Sequence, residues 1–265
     1  MKRVCLVVTS ICLSSLSFAQ TAPQKTGAER LAPKTTLPIV FTHGIDADHA
    51  HVGDAVSARL TQAVTLADGQ VLAAGATVSG HVVSSNPFVF DKTPYAKQKQ
   101  ATLAIHFDTV ASKSATVPLN VYVRAMADPT TTWDARKPKP SDEDPDGTLT
   151  QIGGELLKPH QGEVITFDGD VVGYSRRGGV YAHLIPASGN SAEGCDGSDT
   201  EQSVAEFSAS ACGLYGFTNM SMERSGRSGE PSTVVLASRR NDPQIWKSST
   251  ALLEELPDDQ TTASR

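Results

Sequence analysis

Beyond its first twenty residues the chain has no apolar run approaching the roughly 20 residues of a membrane-crossing helix, so no transmembrane segment is expected in the mature chain. Basic residues are in deficit: 23 stand against 29 acidic ones, a formal charge of −6, and the arginine pairs Arg176-Arg177 and Arg239-Arg240 sit beside turn residues. Such a balance argues against nucleic acid and against anionic membrane surfaces as partners. Cysteine is scarce too. Of four, Cys5 and Cys12 belong to the N-terminal segment, and only Cys195 and Cys212 remain for the rest of the chain.

The N-terminal segment MKRVCLVVTSICLSSLSFAQ joins Lys2 and Arg3 to an apolar stretch and ends on the small residues Ser17 and Ala19. That is the layout of a secretory signal peptide over residues 1–19, with cleavage after Ala19. A lipid anchor on Cys12 is not indicated, because Ile11 precedes it where a lipobox carries a small residue. Loss of Lys2 and Arg3 takes the charge to −8. Export to the periplasm or beyond exposes thiols to oxidation, so Cys195 and Cys212 are expected to form a disulfide across a polar loop.

Helical periodicity is almost missing as well, while alternation is widespread. Val56, Ala58, Leu60 and Val64 fall on one face of an extended segment, as do Leu103, Ile105 and Phe107, and again Leu119, Val121, Val123 and Ala125. Period-two patterns bounded by Gly, Pro and Asp indicate half-buried strands. The expected fold is all-β, mainly antiparallel, in two barrel- or sandwich-like units with short helices at Glu201–Ala209 and Thr250–Leu256. A polar leader over 20–35 precedes an N-terminal β unit over 36–127. The Pro-rich stretch 128–150 reads as a linker, and 151–265 as a C-terminal β unit with the disulfide loop. Gly69–His81 and Gly162–Tyr174 echo each other, with Gly80 over Gly173, and each reads as a hairpin, the second turning at Asp168-Gly169.

LPIVFTHGIDADHAH, residues 37–51, invites a hydrolase reading, since an apolar strand meeting His-Gly resembles an oxyanion loop. The G-x-S-x-G elbow that such enzymes require is lacking, and so is the alternation of strands and helices. A metal-dependent hydrolase using His43, His49 and His51, with Asp46 and Asp48 nearby, is the alternative. Their H-x5-H-x-H spacing matches no common zinc motif, and no metal or cofactor is expected. His81, His106 and His183 sit in strand patterns as ordinary exposed-face residues. The acidic run CDGSDTEQ lacks the twelve-residue calcium-loop layout and reads as surface. Asp168 and Asp170 flank a turn glycine, where Asp is common for backbone reasons, and no catalytic residue is assigned.

HVGDAVSARLTQAVTLADGQVLAAGATVSGHVV with ATLAIHFDTVASKSATVPLNVYVRAMA, and VVGYSRRGGVYAHLIP with CDGSDTEQSVAEFSASACGLYGF, resemble a family of uncharacterised secreted bacterial β-rich proteins. That resemblance implies secretion and a β fold and supplies no catalytic residue. The glycine-punctuated hairpin in the first stretch is also distantly similar to the C-terminal β-barrel of VirB10/TrbI-type secretion-channel proteins. The chain departs from that family in lacking an inner-membrane helix and an apolar antenna helix, so the likeness implies barrel geometry alone. The functional expectation is a non-enzymatic cell-envelope or extracellular protein that binds or assembles with an envelope protein or polysaccharide. Tyr174, Tyr181, Tyr215 and Phe217 are candidates for its binding face.

Overall fold

The computed structural model describes residues 30–113, 115–135, 147–189 and 191–257. The signal-peptide reading and residues 136–146 of the Pro-rich stretch lie outside them. Among the described residues no helix is long and apolar enough to cross a membrane.

Alternation does what the sequence leads one to expect. Val56, Ala58 and Leu60 of strand Ala55–Leu60 are buried, as are Leu103, Ile105 and Phe107 of strand Ala101–Ala111, and all join one core. Around that core runs a ten-stranded sheet. From Val121–Ala127 it passes to Thr250–Glu255, Thr36–Phe41, Ala55–Leu60, Thr77–Asn86, Ala101–Ala111, Thr233–Ser238 and Met220–Arg224 through antiparallel pairs. The short strand Gly213–Tyr215 adds in parallel to Val121–Ala127, and Thr116–Pro118 pairs with Ala101–Ala111. The ends of the sheet come together: Val123 N–H donates to Ser225 O at 2.7 Å and Ser232 N–H to Val121 O at 2.8 Å. The result is a nearly closed barrel, which leaves few unpaired strand edges.

Thr250–Glu255, expected as helix, is a strand buried at all six positions. Lying between Thr36–Phe41 and Val121–Ala127, it has neighbours on both edges, and those pairings override the helical preference of Leu-Leu-Glu-Glu. Glu201–Ala209 is likewise not helical; Glu201–Ser203 is a strand followed by turns. The longest described helix, Pro129–Asp134, lies in the segment read as linker. Asp128 caps it by accepting from Thr131 N–H at 2.7 Å, and Pro129 starts it where no N–H is needed.

Between Val121–Ala127 and the returning strands of residues 213–255, the chain makes a second, six-stranded antiparallel meander. Its strands are Leu149–Thr150, Leu156–Lys158, Glu163–Ile165, Val171–Arg176, Gly179–His183 and Glu201–Ser203. It has its own small core of Leu149, Leu157, Val164, Val180, Ala182 and Val204. Sheet membership therefore does not divide at 128–150, since strands from residues 213–255 belong to the barrel and the meander is inserted within it. The turn at Asp168-Gly169 forms as expected, with Thr166 N–H donating to Asp170 O at 2.9 Å and Gly169 at φ 95°. Gly69–His81 differs. Its Val71–Leu72 pairs backwards with Val64–Thr65 and not with Thr77–Asn86, so the sequence echo does not extend to the pairing.

Every residue of Val121–Ala127 is buried, although alternation assigns Leu119, Val121, Val123 and Ala125 to one face. The reason is a bulge: Leu252 faces Ala125 but Leu253 faces Val123, so Arg124 is the extra residue. Val121, Val123 and Met126 thus enter the barrel core. Ala125 and Ala127 turn outward with Leu252 and pack on Ile152, Phe207 and Ala211 beside the meander.

Candidate functional site

Two features hold the meander to the barrel, and a cleft opens beside one of them. Gln62 follows strand Ala55–Leu60 and its side chain is only 2% exposed. Its Nε2 donates to Val180 O at 2.9 Å, and its Oε1 accepts from Val180 N–H at 3.0 Å and Ala205 N–H at 3.2 Å. One side chain thus replaces a stretch of sheet ladder. Gly179 must be glycine for this contact, because it sits at φ 144° and a Cβ there would lie 2.1 Å from Gln62 Cδ. Thr36 Oγ1 donates to Ser203 O at 2.6 Å and Ser203 Oγ to Ala63 O at 2.9 Å, extending the seam.

The second feature is a buried polar cluster on the outer face of the barrel, placed there by the Arg124 bulge. Arg124 is fully buried and its Nη1 lies 3.0 Å from Glu254 Oε2. Nη2 donates to Ile185 O at 2.7 Å and Ala209 O at 3.1 Å, and Nη1 also reaches Asp196 O. Tyr122 donates to the same Glu254 oxygen at 2.6 Å. Burial, and then the Glu254 carboxylate, push the Tyr122 hydroxyl well above the usual phenol range. Burial also raises Glu254, against the opposing pull of Tyr122 and Arg124. Cys195 and Cys212 form the expected disulfide, with Cα atoms 5.9 Å apart, and it fixes the loop carrying Asp196 over this cluster. Arg227 adds an ion pair to Asp196 and lies over the Tyr122 ring at 5.0 Å. The acidic run after Cys195 is thereby engaged, with Asp196 on Arg227 and Glu201 on Arg176.

The cleft lies where Thr61 and Gln62 of the barrel meet the meander, and it measures about 330 Å³. Leu149, Leu157 and Val180 make its walls apolar, and Gln151 and Glu206 bring polar groups. Gln151 is 2% exposed, and its Nε2 donates to Phe207 O at 2.8 Å. Its Oε1 and the buried Oε2 of Glu206 have no hydrogen-bond partner among the described residues. Burial pushes the Glu206 carboxyl above the usual range, opposed only by its own backbone N–H. The arrangement is an apolar recess with two unsatisfied acceptors and one acidic group.

His43, His49 and His51 engage separate neighbours. His43 Nδ1 lies 3.0 Å from Thr42 Oγ1, His49 sits 3.8 Å from both Asp46 and Asp48, and His51 Nδ1 is 3.7 Å from Asp54 Oδ2. Among the described residues no group of three or more His, Cys, Asp or Glu is arranged to hold a metal ion. Cross-strand pairing instead sets His81 opposite His106, with ring centroids 5.4 Å apart; His81 Nδ1 is 3.1 Å from Asp108 Oδ2, and His106 Nδ1 is 2.8 Å from Thr233 Oγ1. This half-exposed cluster draws on three strands, and sequence spacing carried no signal of it. Phe217, expected on a binding face, is buried and stacked on Trp246 at 5.5 Å. Tyr215 is partly buried and its hydroxyl accepts from Cys212 N–H at 3.0 Å. Tyr174 and Tyr181 do face each other across adjacent meander strands, with Tyr174 exposed. Residues Gln62, Gln151 and Glu206 escaped sequence reasoning, since nothing in their spacing distinguishes them from surface polar residues.

No family model, curated protein or solved structure matches this chain.

Proposed function

We propose that the protein is exported and acts in the envelope or outside the cell by binding or structural assembly, without turnover. The observation that carries this reading is the cleft between barrel and meander. Pockets for small ligands concentrate where two packed units meet, and they pair apolar walls with a few fixed polar groups. The signal-type leader, the Cys195–Cys212 disulfide and the resemblance to a family of secreted bacterial β-rich proteins support an extracytoplasmic setting. The metal-dependent hydrolase reading gains nothing from histidines that each engage a different neighbour.

An envelope protein or polysaccharide is the expected larger partner, engaged through the cleft. Thr61→Phe fills the recess from the barrel side while leaving the Gln62 seam in place. Immobilised wild-type protein should retain a component of envelope extract that the Thr61→Phe protein does not retain, and panels of esters, peptides and glycosides should stay at background. Turnover of any of these, abolished by His49→Ala or His51→Ala with loss of bound zinc or iron from untagged protein, would overturn the binding reading.

A further inference from the structure

The cleft also carries information about the charge of what it holds. Its residues come from both units: Thr61 and Gln62 from the barrel side, Leu149, Leu157 and Val180 from the meander, and Glu206 from the turn after strand Glu201–Ser203. Among the described residues lining the cleft, Glu206 is the one ionisable side chain. The acceptors are also uneven. Gln151 spends both of its donor contacts on backbone carbonyls, Phe207 O at 2.8 Å and Ala205 O at 3.3 Å, and so presents only its Oε1. Neither that atom nor Glu206 Oε2 has a donor among the described residues. A buried acceptor without a donor costs on the order of 1–3 kcal/mol, and more when charged, which marks the spot where a donor is missing. An anionic ligand would be repelled by the Glu206 carboxylate, and a wholly apolar ligand would leave both acceptors unpaired.

Resting on the binding reading above, we propose that the cleft takes a small primary ammonium compound with an apolar body. The ammonium group donates to Glu206 Oε2 and Gln151 Oε1, and the body lies against Leu149, Leu157 and Val180. The ammonium group has three donors, enough for both acceptors, and its charge pairs with that of Glu206. A volume near 330 Å³ is at the lower end of ligand pockets, which limits the body to about a single ring or a short alkyl chain.

The test uses the full chain and three probes of one shape: benzylamine, benzyl alcohol and benzoate, titrated by calorimetry and by the amide spectrum of ¹⁵N-labelled protein. Wild type should bind benzylamine at least tenfold more tightly than benzyl alcohol and should show no saturable binding of benzoate. Glu206→Gln, close in size but uncharged, should abolish that preference, and Thr61→Phe should weaken all binding. Benzylamine bound no better than benzyl alcohol, or bound equally by Glu206→Gln, would overturn the ammonium proposal. If benzyl alcohol binding is still lost in Thr61→Phe, the cleft remains a binding site and only its charge preference has failed. If no probe binds wild type, the ammonium proposal fails, while the extract-retention experiment still judges the broader binding reading. Should Glu206→Gln fail to fold, the wild-type protein decides by itself. The ¹³C carboxyl resonance of Glu206 should titrate at lower pH with saturating benzylamine than without it, and an unmoved titration would overturn the proposal.

Discussion

Arg124 is the residue on which the largest single loss is expected. It is fully buried, ion-paired to Glu254 and bonded to three backbone carbonyls of the segment that follows the barrel strand. Removing one partner of a buried pair leaves the other charge uncompensated, at a cost of about 3–5 kcal/mol. Arg124→Met should therefore lower the urea midpoint sharply, and the double variant Arg124→Met with Glu254→Leu should recover part of the loss. Recovery failing entirely would mean that the carbonyl contacts dominate. Glu206 makes an opposite case. Its folded-state carboxyl titrates above the unfolded one, so the folded state prefers it protonated; the stability this gives is present at acidic pH and fades as pH rises through the raised value. Glu206→Gln is expected to raise the melting temperature of the unliganded protein at pH 7 and to change it less at pH 4. Differential scanning fluorimetry at both pH values checks this.

Within the strands, two glycines have steric reasons to be there that alternation does not show. A Cβ on Gly80 would lie 2.2 Å from His106 O, and one on Gly173 would lie 2.2 Å from Tyr181 O. Gly80 sits at a register shift in the pairing of Thr77–Asn86 with Ala101–Ala111, where the facing backbone crowds in. Gly80→Ala and Gly173→Ala should each cost about 1–3 kcal/mol as the strands are pushed apart. Chemical denaturation measures that loss. These are aligned positions of the sequence echo, so the likeness records a shared need for close strand approach even though the surrounding pairings differ. Val121–Ala127 teaches a related lesson about elements. Its pattern identifies a strand, but the Arg124 bulge sends Ala125 outward, and that change of face is what gives the inserted meander a surface to pack on.

Over the whole molecule, the barrel is assembled from distant parts of the chain. Strands within 36–127 need Met220–Arg224, Thr233–Ser238 and Thr250–Glu255 to complete the wall. A fragment of residues 30–135 is therefore expected to lack a cooperative thermal transition by circular dichroism, and a sharp transition would show that the first strands form a closed unit alone. The disulfide acts at the same scale by tying the Asp196 loop to the buried cluster. It spans 17 residues, and in the chain-entropy model such a crosslink contributes about 3 kcal/mol. Cys195→Ala with Cys212→Ala should lose about that much. Thiol labelling of wild type purified without reductant should find neither cysteine reactive.

The sequence by itself determined the β class, the positions of the main barrel strands within 36–127, the Asp168-Gly169 turn and the pairing of Cys195 with Cys212. These follow from local alternation, turn chemistry and the number of cysteines, which act over a few residues or by elimination. Only the tertiary structure decided that Thr250–Glu255 is a strand, because its two edge partners lie more than a hundred residues away. The same holds for the cleft. Gln62, Gln151 and Glu206 become a site when the meander folds back onto the barrel, and polar residues that meet only in space leave no period or motif along the chain.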